Sequence, residues 1–309
     1  MNARVLLWMV LGLLLLPAGC GDGEEVVVVD MDRREEIVLP SPDHAVTYAY
    51  LPQYSHTTSF ERHRLLIEYL RKTTGIPLRQ VFPDTFEEHV RMVERGEIDI
   101  SYSNPFIYIR LADMGARAFA KVVEQAGKPT FRGQIICRAD NPQIRTLQDC
   151  TGKRWMAVDP SSAGGYLFPL GHFVENGITK EDFAEIAFAP GPGGKQEKVV
   201  LAVYAGTYDV GSIREGTLEL LRGRIDLDQI RILAESRPYP GWVLAARQGL
   251  DPTIEERLAT AMFALDPELK LDSEILNRMN VQDIIPAADQ DYDPVRDLAS
   301  RLDMFVIPD

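Results

Sequence analysis

From His44 onward, strand-like and helix-like segments alternate in short units, and that alternation commits the chain to an α/β fold. Val46, Tyr48 and Tyr50 alternate with other residues in a first strand that ends at Pro52. A helix is expected from about Ser59, which would cap it, with Phe60, Leu66, Ile67 and Leu70 on one face and Gly75 beyond its end. A strand at 78–82, a helix carrying Val90 and Val93 and closed by Gly96, and a strand at 98–102 complete a β-α-β-α-β unit. It runs out into the polar turn 101–105. A second unit begins near Gly133, with strands at 134–138 and 155–158, a helix from Tyr166 that tolerates Pro169 in its first turn, a helix carrying Val199, Val200 and Val203, and a strand at 208–213. Strands at 230–234 and 242–246 follow, and the tail from Asp251 reads as mostly helical. Two similar units, one interrupting the other, predict two lobes with a cleft between them, faced by the loops at the ends of both sheets.

The first nineteen residues read as an export signal: Arg4, then an apolar stretch at 5–16 too short for a membrane span, which needs roughly 20 residues. Small residues directly before Cys20 resemble the lipobox of bacterial lipoproteins, with Pro17 at a position more usually leucine. Acylation of Cys20 would then hold the protein at a membrane surface. The expected organisation is a signal at 1–19, an anchor and spacer at 20–43, one lobe from 44–134 plus 233–309, and a second lobe from 135–232. The net charge of -13 makes nucleic acid and anionic lipid poor partners for the surface as a whole. A small anion responds more to local donors and stays open. Outside Cys20 only Cys137 and Cys150 remain, and in an oxidising compartment they are expected to close a short disulfide loop, two buried thiols being the alternative.

The strongest local signal is DPSSAGGYLFP at 159–169, lying between a strand and a helix. Ser161 and Ser162 supply hydroxyls, Gly164 and Gly165 let backbone come close, and the free amides at the helix start point at whatever sits there, which is how an anion cradle is made. From the other lobe, Tyr102, Ser103 and Asn104 would supply the facing half of the site, with Tyr54 and Ser55 beside them. Lys195 and Arg214 bring positive charge near the expected cleft, and Arg214 could grip an oxyanion through two parallel bonds. Catalytic signatures are lacking. GPGGKQ at 191–196 is not a phosphate loop, because the lysine is not followed by Ser or Thr. The five histidines have no metal-ligand spacing, and no nucleophile elbow or cysteine motif occurs.

In combination and order these segments resemble the phosphate, phosphite and phosphonate substrate-binding proteins of ABC importers, a branch of the type II periplasmic binding fold. The resemblance rests on 159–166, on the turn at 100–105, on VVLAVYAGTYDVGSI at 199–213, and on Tyr239-Pro240-Gly241-Trp242 at the return to the first lobe. It implies two lobes, each a mixed sheet flanked by helices, with the ligand cleft between them. The ligand contacts it implies are Tyr54, Tyr102, Ser103 and Asn104 from one lobe and Ser161, Ser162, Gly164, Gly165, Tyr166, Gln196 and Arg214 from the other. The chain departs from the family where a Ser-Thr-Ser triplet becomes Ser162-Ala163-Gly164 and where a histidine becomes Gln196. Carboxylates that grip aminoalkyl groups in some relatives have no evident counterpart, the late position being Trp242. The expectation is an extracytoplasmic, lipid-anchored, monomeric binding protein that delivers a small oxyanion to an ABC permease, with no cofactor, metal or catalytic residue. The alternative is a ligand sensor coupled to a membrane signalling protein.

Overall fold

The computed structural model describes residues 45–304; the export signal, Cys20 and the spacer expected before His44 lie outside them. The first sheet has six strands in the order β13-β4-β12-β3-β1-β2, namely Val281–Pro286, Arg117–Glu124, Val243–Ala246, Ile100–Ser103, Val46–Tyr50 and Leu78–Val81. Strand β1 is parallel to β2 and β3, while β12 runs antiparallel to β3 and β4, and β13 antiparallel to β4. The second sheet has five strands in the order β10-β6-β9-β7-β8: Ile230–Glu235, Gly133–Arg138, Val210–Arg214, Arg154–Ala157 and Glu185–Phe188. Here β7 is parallel to β8 and β9, and β6 is antiparallel to β9 and β10. The chain passes between the sheets twice, and the two passages pair as a short ribbon of β5, Thr130–Phe131, with β11, Tyr239–Pro240.

Helices between parallel strands start and stop where side chains satisfy their ends. Helix α1, His56–Thr74, is capped by Ser55, whose hydroxyl accepts from Thr58 N at 3.2 Å, and it ends at Gly75 with φ 69°. The expected cap, Ser59, lies one turn further on and is buried with His63, Leu66, Ile67 and Leu70, leaving Phe60 on the outer face, 40% exposed. Helix α2, Phe86–Glu94, is capped by Thr85. The polar turn at 101–105 proves to be the start of a further helix, α3, Pro105–Asp113, whose amides at Phe106 and Ile107 are accepted by Asn104 Oδ1 at 2.9 and 3.0 Å. The tail, read as helical, also contributes the edge strand β13.

Between β7 and the helix α4, Phe168–Glu175, one wide turn covers Ala163–Leu167, with Leu167 N bonded to Ser162 O five residues back. Helix α5, Lys195–Tyr204, leads into β9. The core of the first sheet continues into Ala163, Leu167 and Phe168 of that wide turn. The second sheet is covered on both faces. Ile135, Cys137, Trp155 and Ala157 pack on one side, and Ile136, Met156 and Val158 on the other, the alternation a strand imposes.

Cys137 and Cys150 are free thiols, so the expected disulfide is corrected. Both are fully buried with Ile135, Ile144 and Trp155, where each acts as a small apolar residue. Burial, aided by Cys137 nearby, pushes the Cys150 thiol up to about 12, which suppresses the thiolate that disulfide exchange requires.

Candidate functional site

The parallel strands of both sheets end toward one another, so the loops after β1, β3, β7 and β8 meet. Bonds that join the two sides include Asn104 Nδ2 donating to Ser161 O at 3.3 Å, Arg110 Nη1 to Ser161 Oγ at 3.0 Å, and Gly194 N to Gln53 O at 3.1 Å. Arg110 is itself held by Glu87 at 2.8 Å. Asn104 is therefore occupied as a helix cap and a bridge between the sheets, and Ser161 as an acceptor for Arg110.

At the centre of this junction Tyr50, Tyr102 and Trp242 form an aromatic box. Tyr50 lies 5.4 Å from Tyr102 and 5.4 Å from Trp242, ring to ring, and Tyr102 lies 5.1 Å from Trp242. The box takes this shape because Tyr50 and Tyr102 are register partners at the ends of β1 and β3, while Trp242 immediately precedes β12. His63 closes the back, its Nδ1 2.7 Å from the Tyr48 hydroxyl. Burial, reinforced by Arg62, lowers its pKa to about 3, so it is a neutral packing group.

Two guanidinium groups face the box. Arg214, at the end of β9, lies over Phe131 and Trp242, 4.9 and 5.7 Å from the ring centres, and pairs with Glu124 at 3.0 Å. Burial works against its charge, but Glu124 and the neighbouring tyrosines more than offset that, so its pKa is raised and it stays charged. Arg62, on α1, lies over the Tyr54 ring, 4.2 Å from its centre. Its electrostatic neighbours are Tyr50, Tyr54, Tyr102 and Arg214, and among the described residues no carboxylate pairs with it. Two cations and one carboxylate thus leave one net positive charge in an apolar setting. Several buried donors nearby lack a partner among the described residues: Arg214 Nε, Trp242 Nε1 and Ser103 Oγ.

The wide turn at Ala163–Leu167 adjoins this site through Gly164. A Cβ on Gly164 would stand 2.7 Å from Phe131 Cε2 and 2.8 Å from Arg214 Cβ, so only glycine lets the turn reach the arginine. Its first amides have no partner within the helix, which suits them to an anion. The other expected members of the cradle have structural roles. Ser162 Oγ accepts Gly165 N at 3.1 Å. Gly165 is glycine because a Cβ would meet Val158 Cγ2 at 2.3 Å. Tyr166 turns into the second sheet's core, its ring 5.0 Å from Phe188 and 5.5 Å from Trp155, which corrects its expected place in the ligand site. Gln196 is buried, its Oε1 accepting Arg214 N at 3.0 Å, so it positions the arginine. Lys195 is neutralised by Asp159 at 2.5 Å.

Outside the box a cavity of about 780 Å³ opens between Tyr54, Arg62 and Asp84 on one side and Gly193, Glu197 and Leu220 on the other. Arg62 therefore stands at the boundary between the box and the cavity. Sequence reasoning named Tyr54, Tyr102, Ser103 and Arg214 but missed Tyr50, Arg62 and Glu124. The available signal for Tyr50 was its place at the end of the first strand, matching Tyr102 at the end of the third.

Residues 48–292 match the family described as ABC transporter, phosphonate, periplasmic substrate-binding protein. The phosphate-import protein PhnD of Mycolicibacterium smegmatis is 27% identical, over 86% of this chain and 88% of that protein. Among solved structures, a binding protein component of an ABC phosphonate transporter from Pseudomonas aeruginosa is similar with a TM-score of 0.73 and 19% identity, covering 84% of this chain and 87% of that one. PhnD1 from Prochlorococcus marinus, in complex with methylphosphonate, gives a TM-score of 0.75 at 15% identity, covering 85% of this chain and 100% of that one. At these identities the two structures show a shared fold.

Proposed function

The chain belongs to the periplasmic phosphonate substrate-binding family of ABC transporters, and from that premise we propose that it captures a phosphonate- or phosphate-type oxyanion in the aromatic box and presents it to a permease. It is a binding protein and not an enzyme, of the two-lobed type II fold. The observation that carries the ligand reading is Arg62, a partly buried guanidinium with no counter-charge among the described residues, beside Arg214 at the junction of the two sheets. An anion placed there supplies the missing charge. Gly164 comes close to Arg214, and Tyr50 and Tyr102 are electrostatic neighbours of both arginines. Carboxylate Glu124 balances one arginine and leaves one net positive charge for an anionic ligand.

Ligand contacts reaching both sheets would favour the closed arrangement over an open one, and the closed form is what a permease can distinguish. Acylation at Cys20 would keep the protein at the membrane beside that permease, and a monomer suffices for delivery. Native mass spectrometry of protein purified without refolding tests the reading. A retained phosphorus oxyanion is the expected result, and a neutral bound molecule would overturn it.

A further inference from the structure

The cavity outside the box is far larger than phosphate or methylphosphonate needs; at about 780 Å³ it falls in the range that holds ligands of drug size. Its chemistry is specific. Glu197 lines it with a buried Oε2 that has no hydrogen-bond partner among the described residues, and Asp84 lines it with a carboxylate 3.2 Å from His56 Nε2. Glu197 is an acceptor in need of a donor, and the exposed Asp84 carboxylate, already beside His56, has lone pairs left to accept another. Lys198 does not meet that need, because its ammonium is spent on the carbonyls of Pro190, Pro192 and Gly193 at 2.9, 3.3 and 3.0 Å, which fixes the loop forming the cavity wall. A ligand ammonium would face Arg62, Lys198 and Arg224 in the same space, whereas a hydroxyl donates to the carboxylates without that repulsion.

We propose that the substrate is a phosphorylated polyol: its phosphate sits at Arg62 and Arg214, and its hydroxylated part fills the cavity and donates to Glu197 and Asp84. This rests on the oxyanion reading of the box. Titration calorimetry with methylphosphonate, glycerol 3-phosphate and glucose 6-phosphate tests it on the wild-type chain and on the Glu197→Gln and Leu220→Trp variants. Glucose 6-phosphate is expected to bind about tenfold tighter than methylphosphonate. Each variant should remove that advantage, one by changing the acceptor and the other by filling the cavity, with methylphosphonate affinity unchanged. Methylphosphonate binding with equal or weaker binding of both esters overturns the polyol assignment and leaves the oxyanion box standing. An advantage for the esters that survives in both variants also overturns it. Failure of all three ligands to bind overturns the box and the polyol assignment together.

Discussion

Several residues here do something other than their type suggests. Serines and glycines of the 159–165 loop read as ligand donors, yet Ser162 caps Gly165, and Gly165 is small to clear Val158. On the proposed reading, anion binding falls instead to backbone at Gly164 and to Arg62, a helix residue that looks like an ordinary surface charge until its ring partner and missing carboxylate are seen. The cysteines are a parallel case. Both lie buried in one apolar cluster, and the Cys150 thiol is pushed up to about 12. Thiol titration of a Cys20→Ser chain should therefore give about no reactive groups when native and two when denatured without reductant. A count of none in denaturant would mean the pair is bonded.

At the scale of elements, the junction depends on tight backbone approaches. Gly165→Ala would drive a methyl into Val158 and overpack the second sheet, so a loss of about 1–3 kcal/mol is expected, seen as a lower urea midpoint with an unchanged slope. An unchanged midpoint would show that the turn can shift away from the strand. The alternation of short elements was readable because parallel strands with intervening helices leave strong punctuation, such as Gly75, Gly96 and Gly177. Helix α3 was not, because its cap Asn104 and first residue Pro105 are also what a turn contains. Strand β4 escaped for a different reason. Its sequence RAFAKVVE alternates weakly and its burial is mixed, and with it went Glu124, whose approach to Arg214 depends on a pairing 90 residues apart in sequence. Side chains that meet only through tertiary folding, such as Arg62 and Arg214, leave no local pattern.

At the scale of the molecule, the first sheet is built around two buried neutral histidines. Burial lowers the pKa of His63 and of His89 to about 3, against 6.5 for an exposed imidazole. The unfolded chain binds protons that the folded chain refuses, so the contribution is fully present above pH 6.5 and is lost as pH falls toward 3. Roughly 2 kcal/mol per histidine should be gone by pH 5, and His172, also lowered by burial, acts in the same direction. Asp289 and Asp291, whose pKa values are held below the usual carboxylate range despite burial by bonds to Tyr108 and Arg296 and to Lys121, titrate at lower pH and leave the window from 6.5 to 5 to the histidines. Urea midpoints should fall steadily across that window and flatten in a His63→Gln, His89→Gln double variant; a flat wild-type profile would contradict the burial argument. The same sheet positions Tyr50, Tyr102 and Trp242, so the packing that excludes water from the histidines also dries the box in which an oxyanion would meet Arg62 and Arg214. Calorimetric titration with methylphosphonate, wild type against Arg62→Met, tests this account most directly. Saturable one-to-one binding is predicted for the wild type, weakened by about 1.5–3 kcal/mol, or roughly ten- to hundredfold, when the guanidinium is removed. Equal affinity in the two proteins, or no binding in either, would contradict it.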